Sequence, residues 1–144
     1  MKLHLKNREV EAREEEPQRL LVEVGPDELR DAIESLWREY KGKAYLSLIS
    51  VVDLVDEKVF RVDYMFWLIP EKKLLTIRVK VPRDNPKLPS IVGLVPAANV
   101  YEREAYDLFG IVFEGNPRLE ESAFKPLDLR GQAPLRKDWK PTSS

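Results

Sequence analysis

The chain has 144 residues, 43% of them hydrophobic and 34% charged, with a formal net charge of −1, one His and no Cys. That length suits one domain, which buries roughly 70% of its unfolded surface without cross-links. The missing cysteines exclude disulfides, thiolate chemistry, cysteine-held iron–sulfur clusters and cysteine zinc sites, and the near-neutral charge gives nothing to attract nucleic acid.

His4 lies in a polar segment and reads as an ordinary exposed residue rather than a metal ligand. Asn and Gln are scarce, a composition that resembles thermophile proteins. No apolar run approaches the roughly 18 residues of a membrane span and no signal peptide is visible, so the chain is expected to be soluble or peripheral.

Residues 1–19, "MKLHLKNREVEAREEEPQR", are mostly charged and predict a loosely held N-terminal arm. "LLVEV" (20–24) predicts the first strand. Gly25-Pro26 opens a helix, with Pro at its first position and Glu28 in its first turn. Leu29, Ile33, Leu36, Trp37 and Tyr40 recur at helical spacing, so this helix buries one stripe. Gly42 ends it.

Three strands follow. "YLSLISVVDLV" (45–55) leads through Asp56-Glu57 to "VFRVDYMFWLI" (59–69), and Pro70 to Lys72 leads to "KLLTIRVKV" (73–81). Phe60, Val62, Tyr64, Phe66 and Leu68 alternate onto one face, as do Leu75, Ile77, Val79 and Val81. The short turns imply an antiparallel meander. Pro82, Pro86, Pro89 and Pro96 then make residues 82–96 a constrained crossover rather than a regular element.

"NVYEREAYDLFG" (99–110) predicts a helix with Asn99 as N-cap, Glu102 completing a capping box and Gly110 as terminator. At about 100° per residue, Tyr101, Ala105, Leu108 and Phe109 form the core stripe. Arg103 and Asp107 lie opposite, with Glu102 and Tyr106 on one flank and Glu104 on the other. "IVFEGNP" reads as a short strand and turn. Residues 127–144 have no periodic pattern and read as an extended tail that wraps a partner, with Trp139 as an aromatic anchor. The fold class is therefore α+β: an antiparallel meander packed with helices, then the charged helix, then the tail.

Two carboxylates that share acid–base work must face one site, whereas Glu102 and Glu104 stand about 160° apart around the helix axis. No His, Cys or glycine-rich phosphate loop completes a site with either of them. The polar face has two readings from composition alone, a solvated face with an Arg103–Asp107 pair or a protein interface, where Tyr and Arg are enriched.

The run "PAANVYEREAYDLFGIVFEGNPRL" (96–119) resembles the signature of the 30 kDa subunit of respiratory complex I, the family of the NADH dehydrogenase C subunit. "LPSIVGLVPAAN" (88–99) resembles the segment before that signature, and "PLRKDW" (134–139) the closing motif. The resemblance covers roughly residues 20–140, with residues 20–126 as the α+β domain.

It implies a cofactor-free, non-catalytic subunit of the hydrophilic arm of a membrane-bound redox complex. Such a subunit packs on the large 49 kDa-like subunit and near the small iron–sulfur subunit, on the cytoplasmic side. Iron–sulfur clusters, and nickel–iron in hydrogenase relatives, belong to those partners. Carried over by motif, Glu102, Arg103, Glu104, Tyr106, Asp107 and Phe109 match the signature helix, and Arg136, Lys137 and Asp138 match the tail motif.

The chain departs from the family in having Asn116 where His is common, and in the stretch "EESAFKPLDLRGQA" between the motifs. It is also short at both ends, which favours the membrane-bound hydrogenases and their ferredoxin-linked relatives over a quinone-reducing complex I. A free-standing enzyme using one signature carboxylate, and a soluble adaptor, are the readings from other classes.

Overall fold

A computed structural model describes residues 1–119 and Arg136. The three long strands are β5 (Ala44–Leu54), β6 (Val59–Leu68) and β7 (Lys73–Pro82). They pair antiparallel, with Phe60 opposite Val81, Val62 opposite Val79, Tyr64 opposite Ile77 and Phe66 opposite Leu75. This register puts both predicted alternating sets on one face, where all nine side chains are fully buried. A shift of one residue would turn them to the other face, so the hydrophobic pattern alone specifies the pairing.

The sheet is larger than a meander. Its order is β3-β4-β7-β6-β5, with β4 (Arg19–Glu23) parallel to β7 and β3 (Arg13–Glu16) antiparallel to β4. Between β4 and β5 the chain crosses the sheet through a 3₁₀ turn, Pro26–Glu28, and helix α1, Leu29–Tyr40. Leu29, Ala32, Ile33, Leu36 and Tyr40 are buried on it, and Trp37 meets Phe66 edge-on with ring centroids 5.7 Å apart. Each buried Leu or Ile among them contributes about 1.5–3 kcal/mol by leaving water. The helix ends one residue before Gly42 was expected to stop it, because Lys41 itself adopts a left-handed conformation, with φ of 47°.

Residues 1–19 are not a loose arm. Strands β1 (Lys2–His4) and β2 (Glu9–Glu11) pair as a hairpin whose Leu3 and Val10 enter the core cluster. His4 N donates to Ser35 Oγ at 2.8 Å and Lys6 N to Asp31 Oδ2 at 3.0 Å, fastening the hairpin to α1. His4 Nδ1 stands 3.0 Å from Glu9 Oε1 at the surface.

Arg8 then grips Glu28 bidentately, at 2.7 and 2.8 Å, while Glu28 accepts from Gly25 N at 2.9 Å. These bonds, Arg8 foremost, hold the Glu28 carboxyl down at about 2. A lowered carboxyl stabilises the fold above its ordinary value near 4.5, and that contribution is lost as pH falls toward 2. Arg8 is half exposed and water screens the pair, so the contribution is modest. Arg8→Ala is expected to flatten this acid limb, read as the denaturation midpoint between pH 5 and 2; an unchanged limb would show that the pair contributes nothing.

The proline-rich crossover contains one short strand after all, β8 (Lys87–Pro89), parallel to β9 (Val112–Glu114). Leu88 and Phe113 fill the space between this pair and the main core. Val112 N donates to the Pro86 carbonyl at 2.9 Å and Ser90 N to the Glu114 carbonyl at 2.8 Å, which fixes the path on both sides of helix α2, Ala98–Phe109. Both helices lie on the same face of the five-stranded sheet: Trp37 of α1 touches Phe66, and Phe109 of α2 touches Phe60 at 6.0 Å. Among the described residues no helix is long and apolar enough to cross a membrane.

Candidate functional site

Helix α2 begins two residues earlier than the cap pattern predicts. Ala97 occupies the N-cap position with no side-chain cap, so Asn99 lies inside the helix. Its Oδ1 accepts instead from Asn116 Nδ2 at 3.2 Å. Gly110 terminates the helix in the left-handed conformation, with φ of 78°, and its N–H closes on the Tyr106 carbonyl at 2.9 Å. Glycine adopts that conformation without steric cost, which accounts for the sharp stop.

The inward face differs from the predicted stripe. Ala98, Glu102, Ala105 and Asp107 are buried, whereas Tyr101, Leu108 and Phe109 are half-buried. Glu102, expected on the flank, is 0% exposed. Its Oε1 accepts from Ser90 Oγ at 2.7 Å and Asn116 Nδ2 at 2.9 Å, and its Oε2 from Ile91 N at 2.9 Å. Three donors from two loops therefore make a carboxylate tolerable at a core position.

Burial pushes the Glu102 carboxyl above its ordinary range, and the bonds from Ile91, Ser90 and Asn116 oppose that shift. Tyr64, fully buried on β6, is pushed well above its usual value by burial and by the Glu102 charge. Its hydroxyl has no hydrogen-bond partner among the described residues.

Asp107 was expected on the outer face with Arg103, yet it is 1% exposed. It stands about 180° from Ala98 around the axis, so α2 is covered on two sides. Neither Arg103 nor Asp107 is without a partner in the chain. Arg103, Glu104 and Tyr106 are half-buried. Glu104 borders a groove between α2 and the β5 edge, lined also by Ile49, Val51, Tyr101 and Phe109. Across it, Tyr101 Oη donates to the Ser47 carbonyl at 2.9 Å, where β5 carries a bulge.

Glu102 and Glu104 thus diverge in space as their helical spacing requires. One is enclosed by donors and the other faces a groove, so they form no acid–base pair. Among the described residues no group of three or more His, Asp or Glu side chains could hold a metal ion.

Of the tail motif, Arg136 is described; Lys137, Asp138 and the rest of residues 127–144 lie outside the described residues. Arg136 sits over the Phe60 ring, 5.1 Å from its centroid, and its Nη2 donates to the Arg83 carbonyl at 3.3 Å. Arg83 is stacked on the same ring at 5.6 Å and is bidentate to Asp53 at 2.6 and 3.1 Å. This residue of the predicted wrapping tail is therefore placed on its own domain.

Sequence reasoning missed Ser90, Asn116, Asp53 and Asp63 as structural polar residues. The available signal was position. Asp53 and Asp63 stand in strands that are mostly apolar, and a buried charge there demands a partner such as Arg83 or Arg78.

The chain matches the family described as the respiratory-chain NADH dehydrogenase 30 kDa subunit over residues 22–144. It is 36% identical over 103 residues to the C subunit of NADH-quinone oxidoreductase from Moorella thermoacetica, covering 72% of this chain and 68% of that one. It is 33% identical over 132 residues to the C subunit of F420H2 dehydrogenase from Methanosarcina mazei, covering 90% and 80%. Among curated relatives the matched share of the relative's own length runs from 30% to 80%.

A chain in the structure of the membrane-bound sulfane sulfur reductase, an archaeal respiratory membrane complex, superposes with a TM-score of 0.81 at 26% identity, covering 90% of this chain and 76% of that one. The family model spans residues 22–144 and the fold agrees with that of the solved relative, so the chain belongs to the family of the 30 kDa subunit of respiratory-chain NADH dehydrogenase.

Proposed function

We propose that this chain is a non-catalytic structural subunit of the hydrophilic arm of a membrane-bound, complex I-related redox complex that couples electron transfer to ion translocation. One observation carries the reading: Glu102, a carboxylate of the signature helix, is fully buried and engaged by three donors of its own chain. A group held in that way has no access to a substrate and serves to set the helix in place. The similarity to subunits of an NADH-quinone oxidoreductase, an F420H2 dehydrogenase and a sulfane sulfur reductase complex supports an assembly role over a free enzyme.

In this reading the chain docks on the large 49 kDa-like subunit and the small iron–sulfur subunit at the cytoplasmic side of the membrane. Iron–sulfur clusters, and nickel–iron in a hydrogenase, belong to those partners. Arg103, Glu104 and Tyr106 on α2, with Lys137 and Asp138 of the tail, are the side chains offered to them. The branch favoured is that of hydrogenases and ferredoxin-linked complexes. A quinone-reducing complex I is the second reading, favoured by the 36% identity to the Moorella protein.

The test is purification of the native membrane assembly through a tag on this chain, with identification of every subunit. Co-purification with a large and a small redox subunit is expected, with the iron in those subunits. A chain recovered alone from the soluble fraction, or one that turns over a substrate by itself, would overturn the reading.

A further inference from the structure

Strand parity turns Arg61, Asp63, Met65 and Trp67 of β6 to the face opposite the helices. Their neighbours in register are Val52, Ser50, Leu48 and Tyr45 on β5 and Lys80, Arg78, Thr76 and Leu74 on β7. This face has an apolar half, where Tyr45 is 53% and Leu48 39% exposed beside half-buried Met65 and Trp67, and a charged half around Asp63.

The two edges of the sheet differ in the same sense. Strand β3 is four residues long, entirely charged and broken by a register shift, which blunts it against further pairing. Strand β5 is eleven residues long, with Asp53 its single charge, and its outward side chains at Tyr45 and Leu48 are apolar.

The charged half is incomplete. Both Asp63 oxygens accept from Arg78, at 3.0 and 3.2 Å. Arg61 Nε reaches Asp63 Oδ2 only at 3.4 Å, and although that atom is buried it has no hydrogen-bond acceptor among the described residues. Two guanidinium groups thus share one carboxylate, with Glu23 no nearer than 3.9 Å to Arg78. A buried donor of this kind is costly unless an acceptor reaches it.

We infer that this open face docks on another subunit of the same assembly, whose surface brings a carboxylate to Arg61 and apolar side chains onto Tyr45, Leu48 and Trp67. The inference rests on the subunit reading above. The excess positive charge is a single guanidinium, since Lys80 pairs with Glu57 at 3.1 Å and Arg78 with Asp63. One directed acceptor from a protein fits that better than a polyanionic lipid surface, which rewards clusters of cations. A second copy of this chain is a poor occupant, because the buried carboxylate of its own open face, Asp63, is already engaged by Arg78.

The test uses the purified assembly carrying a photo-reactive residue at Tyr45, and separately at Arg38 on the exposed side of α1, with the cross-linked partner identified by mass spectrometry. The expected result is a cross-link from position 45 to one subunit of the complex. Arg61→Gln is expected to lower recovery of the chain in the assembly about tenfold, through loss of a desolvated charge pair, with the denaturation midpoint of the isolated chain unchanged.

Cross-links from position 38 alone, in an intact assembly, would overturn the docking face and leave the subunit reading standing. Capture of a second copy or of lipid at position 45 would also overturn it, as would unchanged recovery of Arg61→Gln. A chain found in no assembly would overturn the subunit reading itself.

Discussion

Glu102→Ala is expected to destabilise the isolated chain by about 2–4 kcal/mol, because it orphans three donors that are buried with the carboxylate. Each unsatisfied donor costs about 1 kcal/mol or more, and relief of the buried charge offsets part of the sum. Ser90 and Ile91 precede α2 and Asn116 follows β9, so losing Glu102 loosens both connections at once.

Glu102→Gln separates charge from hydrogen bonding. Its amide oxygen can keep the bonds from Ser90 Oγ and Asn116 Nδ2, while its NH₂ opposes Ile91 N, a loss of about 1–2 kcal/mol. The pH dependence gives a second readout. A carboxyl raised in the folded state stabilises fully below its ordinary value of 4.5, and that contribution is lost as pH rises through the raised value. Wild type should therefore lose stability relative to Glu102→Gln as pH climbs above 4.5. Urea denaturation of the three proteins from pH 4 to 8 measures both effects. An alanine variant within about 0.5 kcal/mol of wild type would place Glu102 among ordinary surface residues.

Asp63→Ala is the second large loss expected, about 2–3 kcal/mol. It leaves the Arg61 and Arg78 guanidinium groups side by side, with Glu23 3.9 Å from Arg78 as the remaining counter-charge nearby. Breaking a buried pair by removing one partner costs about 3–5 kcal/mol, and the figure is reduced here because water still reaches part of both arginines. Replacing Arg61, Asp63 and Arg78 together by leucine should recover most of the loss, since an apolar cluster of similar volume needs no desolvation of charge and leaves neither guanidinium unpaired. A triple variant no more stable than Asp63→Ala would mean that packing at this position, rather than charge, is what the substitution removes.

The parts of the fold that were legible had strong periods. Phe60 through Leu68 and Leu75 through Val81 alternate over enough residues that one register alone buries them, and α1 repeats its apolar residues over three turns. Strands β1 and β2 are three residues long, each with one inward side chain, and one buried residue makes no period. Their charged neighbours then read as a free arm, although Arg8, Lys6 and His4 are committed to α1 and the turn before it. On α2 the pattern failed for a different reason. Assigning every carboxylate outward is sound for a helix standing alone, and it fails where donors arrive from residues 11 to 14 positions away along the chain, as they do for Glu102.

The sequence by itself determined the α+β class, the meander with its buried face, the helix that crosses it and the motif that places the chain in its family. These are local properties: alternation, helical spacing, turn residues and a contiguous signature. Only the tertiary structure decided that β4 runs parallel to β7, that Glu102 and Asp107 lie inside, that Arg136 rests on Phe60, and that Arg61 Nε lacks a hydrogen-bond acceptor among the described residues. Each of these depends on which distant groups come together. Burial of a charge is settled by the donors that surround it in space, and no spacing along the chain encodes them.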